Sequence, residues 1–480
     1  MQLVKLITPK IIKTLHCPTA GWKGLFFTIL VLLFTALEPA FSQDNSPYSR
    51  YGIGDLVPTS HINNRGMGGI SAGYSDFLTI NFNNPASYSS FQSVMEPKSK
   101  KLVFGRAILD LGVNTEGRTL KEPGPSTKFV ANNALFSYIQ VGVPLKSNWG
   151  LSFGLRPMSR ISYKIFRDER LKDPITGLPI DSASTRFEGS GGAYQASMGT
   201  GFSIFQRLKA DGREEKLSVG LNVAYLFGSK DYNTKRSLIN DTVSYYQAKY
   251  ETRTNYGGLH LNAGVQYKTP VSKKLFLTAG VYGTWGQKLS ATQDILRETF
   301  FYDDNLGEAR LDSVSDRKNI KGKITLPSTY TIGFILQKPS VPTKEGGWLI
   351  GIDFEQQNWE KYRFYGQSDS VRNKWELRVG GQLNPIPKRN YFSNVSYRLG
   401  FFLGPDYIKV GQKLSQMGAS FGLGLPVAIS RQAPNQVTIV NVAFEYGKRG
   451  NNNNLLRENL FRLSFGFSLS DYWFIKRKYD

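Results

Sequence analysis

The chain has 480 residues, of which 13% are aromatic and 48 are glycine, and its formal net charge is +23. A mean hydropathy of −0.31 argues against a bundle of membrane-spanning helices. It is compatible with a membrane β-barrel, in which only about every second strand residue faces lipid. The single cysteine, Cys17, excludes a disulfide framework and a thiolate metal site.

The positive charge is spread along the chain and is not gathered in a nucleic-acid-binding motif. Basic residues stand in short groups within turn-rich stretches, for example at Lys273-Lys274 and at Lys476-Arg477-Lys478. This distribution favours a solvated rim that contacts outer-membrane lipid head groups, including lipopolysaccharide phosphates. It predicts that nucleic acid is not a partner.

The first segment has the pattern of a cleavable export signal. Four lysines precede the apolar run Leu25–Leu37, and Ala40-Phe41-Ser42 supplies small residues for cleavage. The apolar run is too short for a membrane-spanning helix, which needs about 20 residues. We therefore predict a signal peptide over residues 1–42 and export to the bacterial outer membrane.

The next segment, residues 43–95, is rich in turn formers and poor in alternating runs. Gly66, Gly68 and Gly69 would let the backbone pass through a crowded interior, and Pro85 fixes its own φ. The segment is too irregular for a lipid-facing strand and too apolar for a free tail. We predict a hatch inside a barrel lumen, and both a switching hatch and a static plug remain open.

Residues 96–480 carry the strand signal. Stretches such as Tyr194–Phe202 and Leu217–Tyr225 alternate between apolar and small or polar residues. The pattern predicts an all-β fold, a transmembrane antiparallel barrel of about 14 strands. Some connections between the strands are short, and others are long and charged. The long ones, which we predict to be loops, are 167–189, 230–241 and 290–325.

The sequence lacks a constellation of residues that would carry catalysis. His61 and His260 stand alone, and no G-x-S-x-G elbow occurs. We therefore predict a non-enzymatic protein with no catalytic residues, no cofactor and no metal. An outer-membrane enzyme is the least favoured alternative.

The N-terminal segment resembles the opening of the FadL-type outer-membrane transport family. Gly66-Met67-Gly68-Gly69, a single acidic residue and Asn84-Pro85-Ala86 match that opening, and Leu326–Phe334 resembles the family's L-P-x-x-Y-x-x-G strand. The resemblance implies a 14-stranded barrel, a hatch and a gap in the wall for a hydrophobic solute. The hatch or gating residues that it implies are Gly66, Gly68, Gly69, Asp76, Asn84, Pro85 and Ala86.

Two functions follow from this resemblance. The first is uptake of hydrophobic small molecules of the long-chain fatty-acid type, which predicts an apolar cavity and a kinked wall strand. Both chain ends, Ser46–Asp55 and Trp473–Asp480, resemble a Bacteroidetes-type subgroup that includes PorV, which serves protein secretion. The alternative is therefore a non-catalytic barrel subunit of a secretion or assembly machinery, with a filled lumen and protein partners on its long loops.

Overall fold

The computed structural model describes residues 46–95, 102–124, 128–208, 214–240, 243, 245–303, 307–341, 344–427 and 436–473. The predicted signal peptide lies outside these residues. Within them, no helix has both the length and the hydropathy needed to cross a membrane.

Strands dominate this part of the chain. The first ten are β1 Asp55–Leu56, β2 Ser93–Met95, β3 Leu102–Lys121, β4 Lys128–Lys146, β5 Trp149–Lys172, β6 Pro179–Leu208, β7 Glu214–Ile239, β8 Gln247–Pro270, β9 Phe276–Thr284 and β10 Gln287–Asp303. The others are β11 Gly307–Leu326, β12 Thr329–Lys338, β13 Gly347–Gln357, β14 Arg363–Phe364, β15 Lys374–Asn384, β16 Ser396–Lys409, β17 Lys413–Val427, β18 Val437–Arg449 and β19 Arg457–Trp473.

The helices are short. Among the described residues, α1 is an α-helix over Ile62–Arg65, and 3-10 helices span Pro47–Arg50, Pro85–Ser90, Trp359–Lys361 and Tyr391–Asn394.

The wall closes into an antiparallel barrel of 14 strands, which confirms the predicted fold class. The last strand, β19, pairs with β3 from Arg457↔Lys121 to Trp473↔Gly105. Strands β9 and β10 both pair with β8 and form one wall strand, and β11 and β12 form the next. Closure satisfies the backbone groups that a sheet edge would leave unpaired in lipid.

The outer surface of the wall carries an apolar band. On β12, the side chains of Tyr330, Ile332 and Phe334 are exposed, whereas Thr331 between them is buried in the lumen. The same alternation places every second residue of the middle of β13, such as Ile350, on the outside. Because successive strand residues point to opposite faces, this pattern gives the wall an apolar exterior and a polar interior.

Several strands continue far beyond the apolar band. Strand β6 has 30 residues, although a tilted strand crosses a membrane with about 9–11. The outer parts of β5, β6, β7, β8, β10 and β11 form one continuous extension, which we call the projecting sheet.

The prediction of loops at 167–189, 230–241 and 290–325 was therefore wrong over most of those residues. Arg167 pairs with Thr185, Asp231 pairs with Arg253, and Ser290 pairs with Lys323. Both faces of a projecting sheet are accessible to water, so the alternation of apolar residues disappears while the backbone ladder continues.

Candidate functional site in the lumen

Residues 46–91, which we call the plug, lie against inward-facing residues on all sides of the wall. Ile62 packs against Gly112 of β3 and Gly466 of β19, Gly68 reaches β16, and Pro85 reaches β7. Since these strands lie at different positions around the barrel, the wall encloses the plug. The segment therefore fills the lumen at this level.

Wall glycines allow the plug to approach at backbone distance. A Cβ atom at Gly400 would lie 1.9 Å from the backbone nitrogen of Gly68, and one at Gly220 would lie 2.3 Å from the carbonyl carbon of Pro85. No larger residue fits at either position without displacing the backbone of the plug. These glycines are therefore part of the seal between plug and wall.

The predicted hatch glycines form one tight turn. Gly66 ends α1, and Gly68 and Gly69 follow with φ values of 69° and 88°. Glycine adopts this left-handed region without the strain that a side chain would cause. The Gly68 amide donates to Ser420 Oγ at 2.8 Å, so the turn is tied to β17.

Asp76 has a local role in the plug. Its carboxylate accepts hydrogen bonds from the Leu78 amide at 3.2 Å, the Thr79 hydroxyl at 3.2 Å and the Tyr74 hydroxyl at 3.3 Å. These contacts stabilise the turn that follows Asp76, and all three partners belong to the plug itself.

Asn84, Pro85 and Ala86 connect the plug to β8. Asn84 Oδ1 accepts from the Ala86 amide at 3.2 Å and caps the 3-10 helix, and Pro85 occupies the first helical position. Asn84 Nδ2 donates to the carbonyl oxygens of Ala72 at 2.7 Å and Val265 at 3.3 Å. The triplet thus fixes both the local helix and its position against the wall.

Buried wall carboxylates also hold the plug, and the sequence did not reveal them. Asp353 Oδ2 accepts from the amides of Ser71 at 2.6 Å and Ala72 at 2.8 Å. Asp110 Oδ2 accepts from the Ile80 amide at 2.7 Å. The only local signal for such residues is an acidic residue at an inward position of a strand.

Arg65 joins the plug to several strands at once. It is 1% exposed, and its Nη1 donates to Asn114 Oδ1 at 2.8 Å and Ser464 Oγ at 3.1 Å. Its Nη2 donates to Ser137 Oγ at 3.2 Å. The guanidinium therefore bridges α1 to the consecutive strands β3 and β4 and to β19, which lies far from them in the sequence.

The two histidines of the described chain are buried and apart. His61 Nδ1 accepts from the Asn63 amide at 3.0 Å, while its Nε2 lies 3.2 Å from Asp110 Oδ2. His260 belongs to β8 and is 7% exposed. Among the described residues, no group of His, Cys, Asp and Glu is arranged to hold a metal ion.

A cavity of about 260 Å³ remains in the lumen, and 14 of the 39 described residues that line it are charged. Two ion clusters account for many of them. In the first, Arg118 contacts Asp55 at 3.0 Å and Glu458 at 2.7 Å. Arg449 joins this cluster through Asp55 at 2.9 Å and through Asp406.

The second cluster lies on β13 and β15. Arg378 contacts Glu355 at 2.8 Å and Glu376 at 2.7 Å, and Lys374 contacts Glu376 at 2.9 Å. Breaking one such buried pair leaves an uncompensated charge, which costs about 3–5 kcal/mol. The clusters therefore resist a rearrangement that would open an apolar path along this cavity.

The seam between β4 and β5 is incomplete. The two strands pair only from Ile139↔Leu155 to Lys146↔Trp149, and beyond Leu155 their partners diverge. Pro157 has no amide hydrogen to donate, and a bulge follows it in the pairing with β6. Met158, inside this bulge, lines the cavity, and the edge of β5 that β4 leaves here pairs with β1 of the plug.

The tips of the projecting sheet carry exposed apolar side chains. Ile175 is 93% exposed, Leu178 65% and Tyr246 67%. The tips of the β5–β6 and β7–β8 hairpins are joined where Asp181 accepts a hydrogen bond from Tyr245 at 2.9 Å. We call these exposed residues the tip patch, and their distance from the apolar band means that lipid does not cover them.

Comparison with known proteins identifies one protein family. The BamG family model matches residues 23–480. No curated protein matches the chain significantly.

Similar solved structures include a FadL homologue of Pseudomonas aeruginosa, with 13% identity over 88% of this chain and 100% of that chain and a TM-score of 0.49. The monoaromatic hydrocarbon channel CymD has 12% identity over 88% and 99%, with a TM-score of 0.48. The toluene transporter TodX of Pseudomonas putida has 13% identity over 87% and 99%, with a TM-score of 0.46.

Proposed function

The chain belongs to the BamG family, and from that premise we propose that it is a plugged, non-catalytic barrel of the bacterial outer membrane that serves as a subunit of a protein assembly or secretion machinery. Its task in this proposal is to present a rigid surface to protein partners. The hatch residues then hold a static seal.

The observation that carries the proposal is the closed, ion-paired lumen. The plug meets the wall at backbone distance, as at Gly400, and the clusters around Arg118 and Arg378 line the remaining cavity. A hydrophobic solute gains about 25 cal/mol per Å² by leaving water for an apolar environment. It gains much less from a cavity whose walls carry paired charges.

The projecting sheet supports the same proposal. It places the tip patch where neither lipid nor the barrel covers it, and Ile175 alone is 93% exposed. Exposed apolar patches of this kind mark protein interfaces, in which aromatic residues are enriched, and the tip patch contains the exposed aromatic residue Tyr246.

The test is a pull-down of the full chain from its native membrane in mild detergent, with lipid analysis of the same sample. We expect stoichiometric protein partners with the unchanged chain. With the variant Ile175→Ser and Leu178→Ser, the amount of recovered partner should fall at least about ten-fold, because the variant removes two apolar contacts from an interface.

The matched control is Val271→Ser with Leu455→Ser, which changes two exposed aliphatic residues outside the tip patch. It should retain the partners. A solitary barrel that carries a tightly held amphiphile and no protein would overturn the assembly proposal.

A second candidate is uptake of hydrophobic molecules, including those of the long-chain fatty-acid type. The incomplete seam between β4 and β5 favours it, since the two strands stop pairing at Leu155 and only β1 of the plug covers the edge of β5 beyond it. In this case the plug would act as a hatch and the seam as a lateral exit.

The substitution Pro157→Val tests this candidate, because it restores an amide donor at the edge of β5. Cells that depend on the protein should then take up a labelled fatty acid or a monoaromatic compound several-fold more slowly. Pro426→Val, on β17 away from the seam, is the control. Equal uptake by both variants and the unchanged protein would remove the lateral route.

A further inference from the structure

We propose that the outer wall carries a docking site for the phosphates of lipopolysaccharide. The site consists of four basic residues, Lys288, Lys321, Lys323 and Arg363, which we call the basic quartet. It goes beyond the function proposed above, because it requires only that the barrel stand in an outer membrane.

Strand register brings the quartet together around Thr325. Lys288 of β10 and Arg363 of β14 both pair with Thr325 of β11, one on each side. Directly paired residues of neighbouring strands share a face and lie about 5 Å apart. Lys323 and Lys321 follow on the same face of β11, each about 7 Å further along.

The quartet faces outward at the upper boundary of the apolar band. All four residues are exposed, whereas Ile324, between Lys323 and Thr325, is buried. Along the strand formed by β9 and β10, the outward residues change from Val281 and Trp285 to Lys288. Trp285 is 52% exposed and belongs to the aromatic boundary, at the height where lipid head groups begin.

The four cations have no carboxylate partner among the described residues. Arg363 Nη1 donates to the carbonyl oxygens of Glu360 and Tyr362, each at 2.7 Å, so no anion neutralises it. Nearby acids have other partners, since Glu360 accepts from Asn373 at 3.0 Å and Asp294 accepts from the Asn319 amide at 2.8 Å. Most other basic residues of the projecting sheet, such as Lys249, are paired with glutamate.

These observations specify the ligand. Four unpaired cations within a patch about 10 Å wide and about 14 Å long fit more than one phosphate, and ammonium and guanidinium groups bind phosphate through charge-assisted hydrogen bonds. An acidic segment of a partner protein could carry a negative charge similar to that of the phosphates. However, the quartet lies directly above the lipid-facing aromatic residues. A lipid whose acyl chains pack against the wall there would place its head group at the quartet.

The test measures retained lipopolysaccharide on the full chain in detergent by native mass spectrometry. The probes are purified lipopolysaccharide and the same lipid after enzymatic removal of its phosphates. The variant K288Q, K321Q, K323Q and R363Q should bind phosphorylated lipid at least about ten-fold more weakly, since each surface cation contributes about 1 kcal/mol near an anionic membrane.

The control variant K273Q, K344Q, K388Q and R389Q removes the same number of lysines and arginines from exposed turns at the opposite end of the barrel. It should bind within about two-fold of the unchanged chain, as surface charges outside the site contribute little. Equal binding by the quartet variant, or equal binding of dephosphorylated lipid to the unchanged chain, overturns the proposal. Loss of a protein partner with unchanged lipid binding also overturns it.

Discussion

The plugged lumen and the projecting sheet are built from the same strands but meet opposite demands. In the lumen, charged groups such as Arg449 are buried and share partners across several strands. On the projecting sheet, Arg236 contacts Glu169 at 3.1 Å while remaining 45% exposed. Ion pairs therefore seal the lumen, whereas on the projecting sheet they keep the surface soluble. The difference arises because buried charges interact more strongly than exposed ones.

The largest expected effect comes from breaking the buried cluster. Arg449→Met leaves Asp55, Asp406 and Glu458 short of a counter-charge, and we expect a loss of about 3–5 kcal/mol in the free energy of unfolding. Arg236→Met should change it by less than about 1 kcal/mol. Urea titration followed by tryptophan fluorescence in detergent measures both, and equal effects would erase the distinction between the two regions.

A glycine pair tests the seal at backbone level. Gly400→Ala would place a methyl group against the backbone of Gly68, whereas Gly447→Ala meets its nearest atom only at 3.7 Å. We expect the first to destabilise by about 1–3 kcal/mol and to expose the plug to added protease. The second should leave both properties unchanged, and protection of the plug in both variants would contradict a tight seal.

The tip patch should behave in the opposite way. The Ile175→Ser and Leu178→Ser variant should alter the free energy of unfolding by no more than about 0.5 kcal/mol, since exposed residues contribute little to folding. A large loss of stability in the same urea titration would show that the patch belongs to the folded core. Its loss of partners would then not report on binding.

The smallest effect concerns the turns opposite the projecting sheet. Hydrogen bonds from Lys274 and then Lys338 lower the pKa of Glu345 to about 2. Because the folded pKa lies below its unfolded value of about 4.5, this carboxylate stabilises the fold above pH 4.5. The contribution is lost as the pH falls toward 2, and the variant Glu345→Gln should remove that acid sensitivity from unfolding curves.

The sequence predicted the barrel correctly, but it did not predict how far the strands extend beyond the membrane-spanning part of the wall. The stretch 290–325 is charged and lacks alternation, so it reads as a loop, yet β10 and β11 pair through most of it. The periodicity of apolar residues indicates which face of a strand is apolar, and a strand with water on both faces has no such periodicity. Backbone pairing persists there because each strand has a neighbour on at least one side.

The candidate site shows the same division. Gly66, Gly68, Gly69 and the Asn84-Pro85-Ala86 triplet were selected through the resemblance to a family, whose motif is readable because turns and helix caps need those residue types within a few positions. Asp353 could not be selected, since its partners Ser71 and Ala72 are about 280 residues away in the chain. Nothing near Asp353 in the sequence marks it as a ligand of plug amides.

The amino-acid order alone predicted alternating strands and hence a membrane barrel, because alternation depends only on neighbours one or two positions apart. Only the folded barrel decided which glycines admit the plug, which charges neutralise each other and which four basic residues have no carboxylate partner in the described part of the chain. Such pairings depend on how the strands align around the closed wall, and alignment is a property of the whole cylinder.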